Sequence, residues 1–343
     1  MTTEVARMSF WRDRPVLVTG ANGFIGAWLT DALLRAGAQV VAVVRDHKPS
    51  GGLSLLGVDS KVVVVHGNVT DATLLGRAFR QYHITHCFHL AAQALVEAAR
   101  SSPVDTFESN IAGTWTVLEA CRQAGVEVVV ASSDKAYGPS ATLPYLESTP
   151  LLPTHPYDAS KACADLLARS FYRAYGLPVA VTRCANIYGG GDLHPSRLIP
   201  DVILSILAGR APVLRSDGSL RRDLLYVDDA VAGYLRLGER LTQPGVTGEA
   251  FNFGAGHPHR VRDVVQRILQ LMGRPELQPT IENRVKPGEE IPAQYVDSAR
   301  AGRLLGWRAE TTLDEGLRRT IEWYRQYVGE RAEAFVLEPA AHR

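Results

Sequence analysis

Residues 16–29 read Val-Leu-Val-Thr-Gly20-Ala-Asn-Gly23-Phe-Ile-Gly26-Ala-Trp-Leu, a β-branched run that passes through three glycines into an apolar-faced helical stretch. A glycine turn at that junction lets the backbone approach a pyrophosphate closely. The helix start then offers the anion free N–H donors and the positive end of the helix dipole. Gly20, Asn22, Gly23, Phe24, Ile25 and Gly26 are therefore candidate cofactor-binding residues. Spaced glycines alone are weak evidence, but here the strand stands immediately before them and the helix immediately after, which is the context a dinucleotide site requires.

The same rhythm continues along the first half of the chain. Runs at 16–19, 40–44, 62–66, 86–90, 126–132 and 179–183 read as strands, and 24–36, 72–82, 104–124 and 157–175 as helices. The strand runs are continuously apolar rather than alternating, as when both faces of a sheet are covered. Alternation of this kind predicts an α/β fold, a Rossmann doubly wound parallel sheet with right-handed crossovers. After Asn186 glycine and proline become frequent and the strand signals shorten. The reading is a dinucleotide-binding domain over 1–186, rejoined by 225–255, a smaller α+β substrate lobe from 187–224 and 256–328, and a tail at 329–343.

Composition narrows the function. With 37 basic against 36 acidic residues the formal net charge is +1, which argues against a general role on nucleic acid or a membrane surface. The four cysteines lie far apart with no metal-ligand spacing, so they are read as free thiols and no metal site is expected. No run of about 18 apolar residues is present, and residues 1–14 have no signal-peptide core, so a cytoplasmic protein is expected. The chain has only five lysines, Lys48, Lys61, Lys135, Lys161 and Lys286, which singles each of them out.

The end of the second strand bears on the cofactor. Arg45 there would favour the 2′-phosphate of NADP, by charge and hydrogen bonding. One residue further, Asp46 would bind the ribose diol of NAD. The reading leans to NADP and keeps NAD open. Tyr157 and Lys161 stand at i, i+4 just past Pro156, which places phenol and ammonium on one helix face. A nearby cation is expected to lower the phenol's pKa and make it a general base.

Taken together, Thr19-Gly-Ala-Asn-Gly-Phe-Ile-Gly26, His89-Leu-Ala-Ala92, Asn110-Ile-Ala-Gly-Thr114, Ser132-Ser-Asp-Lys-Ala-Tyr-Gly138, Tyr157-x-x-x-Lys161, Arg183-x-x-Asn186-x-Tyr-Gly189 and Arg222-Asp-Leu-Leu-Tyr-Val-Asp-Asp229 carry a resemblance. Over roughly residues 15–325 the chain is similar to the extended short-chain dehydrogenase/reductases of the nucleotide-sugar epimerase/dehydratase group. The resemblance implies a catalytic trio of Ser133, Tyr157 and Lys161, with Leu90, Ala91 and Ala92 lining the cofactor. It implies that Asn68, with Val69 beside it, stands where relatives carry an acid facing adenine, and that Asn110 ties a helix to a neighbouring strand. It also implies a homodimer or higher homo-oligomer, with helices 104–124 and 157–175 packing at the interface.

Epimerases and 4,6-dehydratases share the oxidation at C4 and differ beside the serine. Dehydratases of the group carry an aspartate that protonates the leaving 6-hydroxyl and a glutamate that removes H5. Here the pair is Asp134–Lys135, which resembles CDP-glucose 4,6-dehydratases, while Val-Val-Arg45 is similar to the strand end of GDP-mannose dehydratases. Lys135 would act either as a neutral base or as an electrostatic stabiliser of the enolate. By the same resemblance Asn186, Arg197, Arg222 and Lys286 would hold the substrate's diphosphate or nucleotide. A 4,6-dehydratase on CDP-glucose, then GDP-mannose, is the leading expectation. A 4-epimerase and a non-catalytic dinucleotide sensor are the alternatives; Asp134–Lys135 stands against the first and Tyr157–Lys161 against the second.

Overall fold

A computed structural model describes residues 10–46, 51–283 and 290–330. Seven parallel strands form the central sheet in the order β10-β6-β5-β4-β1-β2-β3. They are β1 Pro15–Thr19, β2 Gln39–Val44, β3 Val63–His66, β4 His86–His89, β5 Glu127–Ala131, β6 Val179–Cys184 and β10 Ala250–Phe253. This is the doubly wound Rossmann arrangement. Its chain direction across the sheet reverses between β1 and β4, and ligands of such sheets bind in the crevice beyond the carboxyl ends at that point.

The pleat explains why these strands read as continuous apolar runs. Val16 and Val18 of β1 join one buried cluster, with Trp11, Phe88 and Phe253, while Leu17 between them joins a second, with Val41, Phe79 and Val128. Each fully buried side chain of this size contributes about 1.5–3 kcal/mol. Edge strand β3 differs: Val63 and Val64 are exposed, and among the described residues it pairs with β2 alone.

Helix α1 Phe24–Arg35 follows β1, and α2 Ala72–Gln81 follows β3, capped by the Asp71 carboxylate, which accepts from the Leu74 N–H. The stretch read as one helix over 104–124 is broken. Pro103–Phe107 is a short helix, 108–112 a π-helical turn, and α3 covers Gly113–Ala124. Its helical periodicity runs on through the wide turn, so the sequence conceals the break. Helix α4 spans Pro156–Tyr175 and opens on proline, whose missing N–H is no loss in a first turn.

Beyond β6 the chain leaves the sheet. Strand β7 Asn186–Tyr188 pairs with β9 Arg221–Tyr226, which also pairs with β11 Pro258–Arg260 and β13 Ala293–Gln294; β8 Val213–Leu214 pairs with β12 Thr280–Ile281. Helices α5 Leu198–Leu207 and α7 Val261–Leu271 belong to the same region. Helix α6 Val227–Glu239 returns to pack on α1, and β10 adds to the central sheet beside β6. Among the described residues no helix is long and apolar enough to cross a membrane.

Candidate active site

The glycine turn is built as a cradle. Gly20 has φ +70°, and a Cβ there would stand 2.7 Å from the Ala91 nitrogen, so the turn presses against the 90–92 segment. A Cβ on Gly26 would lie 2.1 Å from the Gly20 carbonyl oxygen. Gly23 caps α1 without any side-chain hydrogen bond, which leaves the helix's first N–H groups open to an anion. Thr19 fastens the neighbouring loop: its Oγ1 accepts from the Ala91 N–H at 3.2 Å and meets His89 Nδ1 at 2.8 Å. His89 is held on its other side by Thr114, and burial pushes its pKa down to about 3, so it stays neutral.

A single cleft of about 2250 Å³ runs from this turn to β9. Small-molecule pockets are commonly 300–1,000 Å³, so the cleft has room for two extended ligands. Gly20, Asn22, Gly23, Phe24, Ile25, Gly26, Arg45, Asn68, Val69 and 90–92 line one part of it. Ser133, Asp134, Lys135, Tyr157 and Lys161 line its middle, and Asn186, Arg197 and Arg222 the far part. Lys286 lies outside the described residues. Arg45 and Asp46, the two rival readings of the strand end, bind each other at 2.9 Å in an exposed pair.

In the middle of the cleft, Lys161 Nζ donates to the Ala131 carbonyl at 2.9 Å and Ser132 Oγ donates to the Lys161 carbonyl at 3.0 Å, which fixes α4 against the end of β5. Burial pulls the Lys161 ammonium down to about 8. The same desolvation pushes the Tyr157 phenol up to about 12, opposed by the Arg197 guanidinium and a Ser133 hydrogen bond. This corrects the expectation that Lys161 makes the free phenol acidic: with Lys161 turned to Ala131, burial dominates and Arg197 is the leading opposing charge.

Ser133 begins a short helical turn, Asp134–Tyr137, and its Oγ donates to Asp134 Oδ1 at 3.1 Å. Asp134 is buried, its Oδ2 has no hydrogen-bond partner, and desolvation raises its pKa against the pull of Lys135. Burial thus shifts this carboxyl toward its protonated form, the direction a general acid requires.

At the far end Arg222 is anchored by Glu290 at 2.7 Å and the Ile291 carbonyl at 2.8 Å, and Arg197 by Asp192 at 2.8 Å. Asn186 Nδ2 donates to the Asp223 carbonyl at 3.4 Å. Asn110 sits behind the cleft, tying the Gln93 backbone (2.7 and 2.9 Å) to Ser160 Oγ of α4 (2.9 Å). The sequence reading passed over Asp192, Glu290 and Asp158. Glu290 is visible only as the partner of Arg222, far away in sequence, whereas Asp192 stands five residues before Arg197 and Asp158 directly follows Tyr157, which were the signals available.

Fold, cradle and Tyr–Lys pair together define a nicotinamide-dinucleotide enzyme. The chain belongs to the NAD dependent epimerase/dehydratase family, whose model matches residues 16–254. It is 32% identical over 341 residues to dTDP-glucose 4,6-dehydratase 1 of Escherichia coli (strain K12), covering 90% of this chain and 92% of that protein. Among solved structures it resembles the NAD-bound DesIV dTDP-glucose 4,6-dehydratase of Streptomyces venezuelae (TM-score 0.82, 32% identity, 92% of this chain and 98% of that one). It is also similar to the UDP-glucose 4-epimerase of Thermotoga maritima (TM-score 0.83, 28% identity, 92% and 99%).

Proposed function

We propose that the protein is a nucleotide-sugar 4,6-dehydratase that converts an NDP-hexose to the 4-keto-6-deoxy sugar. The observation that carries this reading is Asp134, a buried carboxyl with an unpartnered oxygen beside Ser133 in the cleft. A 4-epimerase has no need of an acid there. The relatives named dTDP-glucose 4,6-dehydratase support the same reaction, while the 4-epimerase likeness supports the shared fold.

The glycine turn, Asn68 and 90–92 hold the dinucleotide's phosphate and adenine ends, and Lys161 its nicotinamide ribose. Bound there, the nicotinamide supplies a hydride acceptor for C4 and the same hydride for C6. Ser133 holds the 4-hydroxyl while Tyr157 removes its proton. Burial raises the free phenol to about 12, and Lys161, four residues on along α4, is the cation that would lower it with the dinucleotide bound. Asp134 then protonates the leaving 6-hydroxyl while the H5 proton passes either to Lys135 as a neutral base or to water with the Lys135 ammonium stabilising the negative charge that develops on the 4-keto group. Asn186, Arg197 and Arg222 hold the diphosphate. The Asp134–Lys135 pair keeps CDP-glucose the first substrate, with dTDP-glucose, after the relatives, beside it and GDP-mannose next; NAD and NADP both remain candidates at Arg45–Asp46. A homodimer on α3 and α4 belongs to the same reading.

The test is the product mass after incubation with CDP-glucose, dTDP-glucose, UDP-glucose and GDP-mannose, each with NAD or NADP. Loss of one water from any of them is expected. Asp134→Asn is expected to retain C4 oxidation while water loss slows by about 10²–10⁴-fold. An isobaric product with inverted C4 would replace this reading by the epimerase.

A further inference from the structure

The run Gly189-Gly190-Gly191 joins β7 to the segment that carries Arg197, and nothing in the chemistry proposed above uses it. Consecutive glycines ordinarily leave a loop loose. Here the loop is gripped. Trp28 of α1 donates from its indole Nε1 to the Gly190 carbonyl at 2.8 Å. Trp323, on the helix Leu313–Gly329, lies so close that a Cβ on Gly190 would stand 2.3 Å from its Cγ. Only glycine admits the backbone to that slot. A Cβ on Gly191 would likewise face both indoles, 3.7 Å from Trp28 Nε1 and 3.9 Å from Trp323 Cζ2.

The grip extends to the arginine. Asp192, the next residue, is buried; its carbonyl accepts from the Tyr324 hydroxyl, and its Oδ2 accepts from Arg197 Nη1 at 2.8 Å. Arg197 stands at the N-cap of α5 and lines the cleft. The contacts therefore run from the indole on α1 to the Gly190 carbonyl, two residues along the chain, and from the Asp192 carboxylate to the guanidinium. Helix α1 itself begins at the glycine turn.

We propose that Trp28 is a positioning residue which, through Gly190 and Asp192, sets the Arg197 guanidinium for the diphosphate of the sugar nucleotide. One helix then addresses both ligands, its first turn facing the dinucleotide's phosphates and its second turn fixing the loop that meets the other ligand. A guanidinium held in place before the ligand arrives spares binding the cost of ordering it. This rests on the function proposed above for the ligand of Arg197, and the linkage stands whether the sugar is dehydrated or epimerised.

The test is calorimetry on NAD-saturated protein with CDP, dTDP, UDP and GDP, following whichever binds most tightly. Trp28→Phe removes the indole N–H and keeps a ring in place. It is expected to weaken nucleoside diphosphate binding about tenfold, with NAD affinity left at the wild-type value. Gly190→Ala, which displaces the same loop against Trp323, is expected to give the same split and serves if Trp28→Phe does not fold. In an Arg197→Met background Trp28→Phe is expected to add no further loss, whereas a purely structural role would add its own in full. Full additivity would overturn the proposal, as would wild-type diphosphate affinity in Trp28→Phe or an equal loss of NAD affinity. Wild-type affinity in Arg197→Met would overturn it together with the place of Arg197 in the proposed function. Failure of the dehydratase reading shows instead in the product mass, and the binding measurements decide the linkage either way.

Discussion

Tyr157 and Lys161 are perturbed in opposite directions by one cause, since burial disfavours the charged form of each. For Lys161 the sign of the stability effect follows directly. The unfolded chain keeps its proton up to 10.5 and the folded protein loses it above about 8, so between these values the unfolded state binds more protons. Stability of the ligand-free protein therefore gains on the order of 3 kcal/mol from this group as pH rises from 8 toward 10.5. Tyr157, raised to about 12 from 10.0, subtracts from about pH 10 upward, which touches only the upper end of that window. Denaturant titrations at about pH 8 and 9.5 are expected to show the rise, and Lys161→Met to flatten it. At this scale the sequence was legible where residues stand in spaced motifs, as Ser133, Asp134, Tyr157 and Lys161 do. It was silent on Asp158, whose isolation from donors depends on a turn 20-odd residues upstream packing against α4.

Strands β1, β2, β4, β5 and β6 of the central sheet were readable because burial on both faces writes an unbroken apolar run into each, whereas edge strand β3 carries such a run with Val63 and Val64 exposed. Elements whose identity depends on partners were not readable. Strands β7, β8, β11, β12 and β13 are only two or three residues long and exist by pairing with segments far along the chain. The 104–124 stretch hid its π-helical turn for a different reason: Asn110 sits inside that turn, where its side chain reaches both Gln93 and Ser160. The glycine turn is the element most directly open to test. Gly26→Ala places a methyl 2.1 Å from the Gly20 carbonyl oxygen, and relief of overpacking of this kind costs about 1–3 kcal/mol. Because the displaced backbone is the phosphate cradle, dinucleotide affinity measured by calorimetry is expected to fall about 10–100-fold, with the circular dichroism of the sheet and helices retained.

Across the whole molecule the cleft stays in shape because its walls are tied through the interior. Arg183 on β6 binds the Asp165 carboxylate of α4 at 2.7 and 2.9 Å and the Tyr137 hydroxyl at 2.9 Å, all of it buried. Tyr137 ends the turn that begins at Asp134, and its hydroxyl donates to Asn252 of β10 at 2.7 Å. Removing Arg183 leaves the buried Asp165 carboxylate only the longer contact to Arg169 at 3.9 Å, so Arg183→Met is expected to cost about 3–5 kcal/mol, read as a drop in unfolding midpoint, while the isolated exposed pair Arg45–Asp46 contributes about 0–1 kcal/mol. This network was not legible in advance, since a buried arginine's partners come from three separate elements. The central claim is that one molecule of sugar passes its own C4 hydrogen to C6 while losing water beside Asp134. Incubating the enzyme with CDP-glucose and dTDP-glucose deuterated at C4, and locating the label by mass spectrometry and NMR, tests it most directly. The account predicts a product one water lighter with deuterium in the C6 methyl group; deuterium retained at C4 of an isobaric product would contradict it.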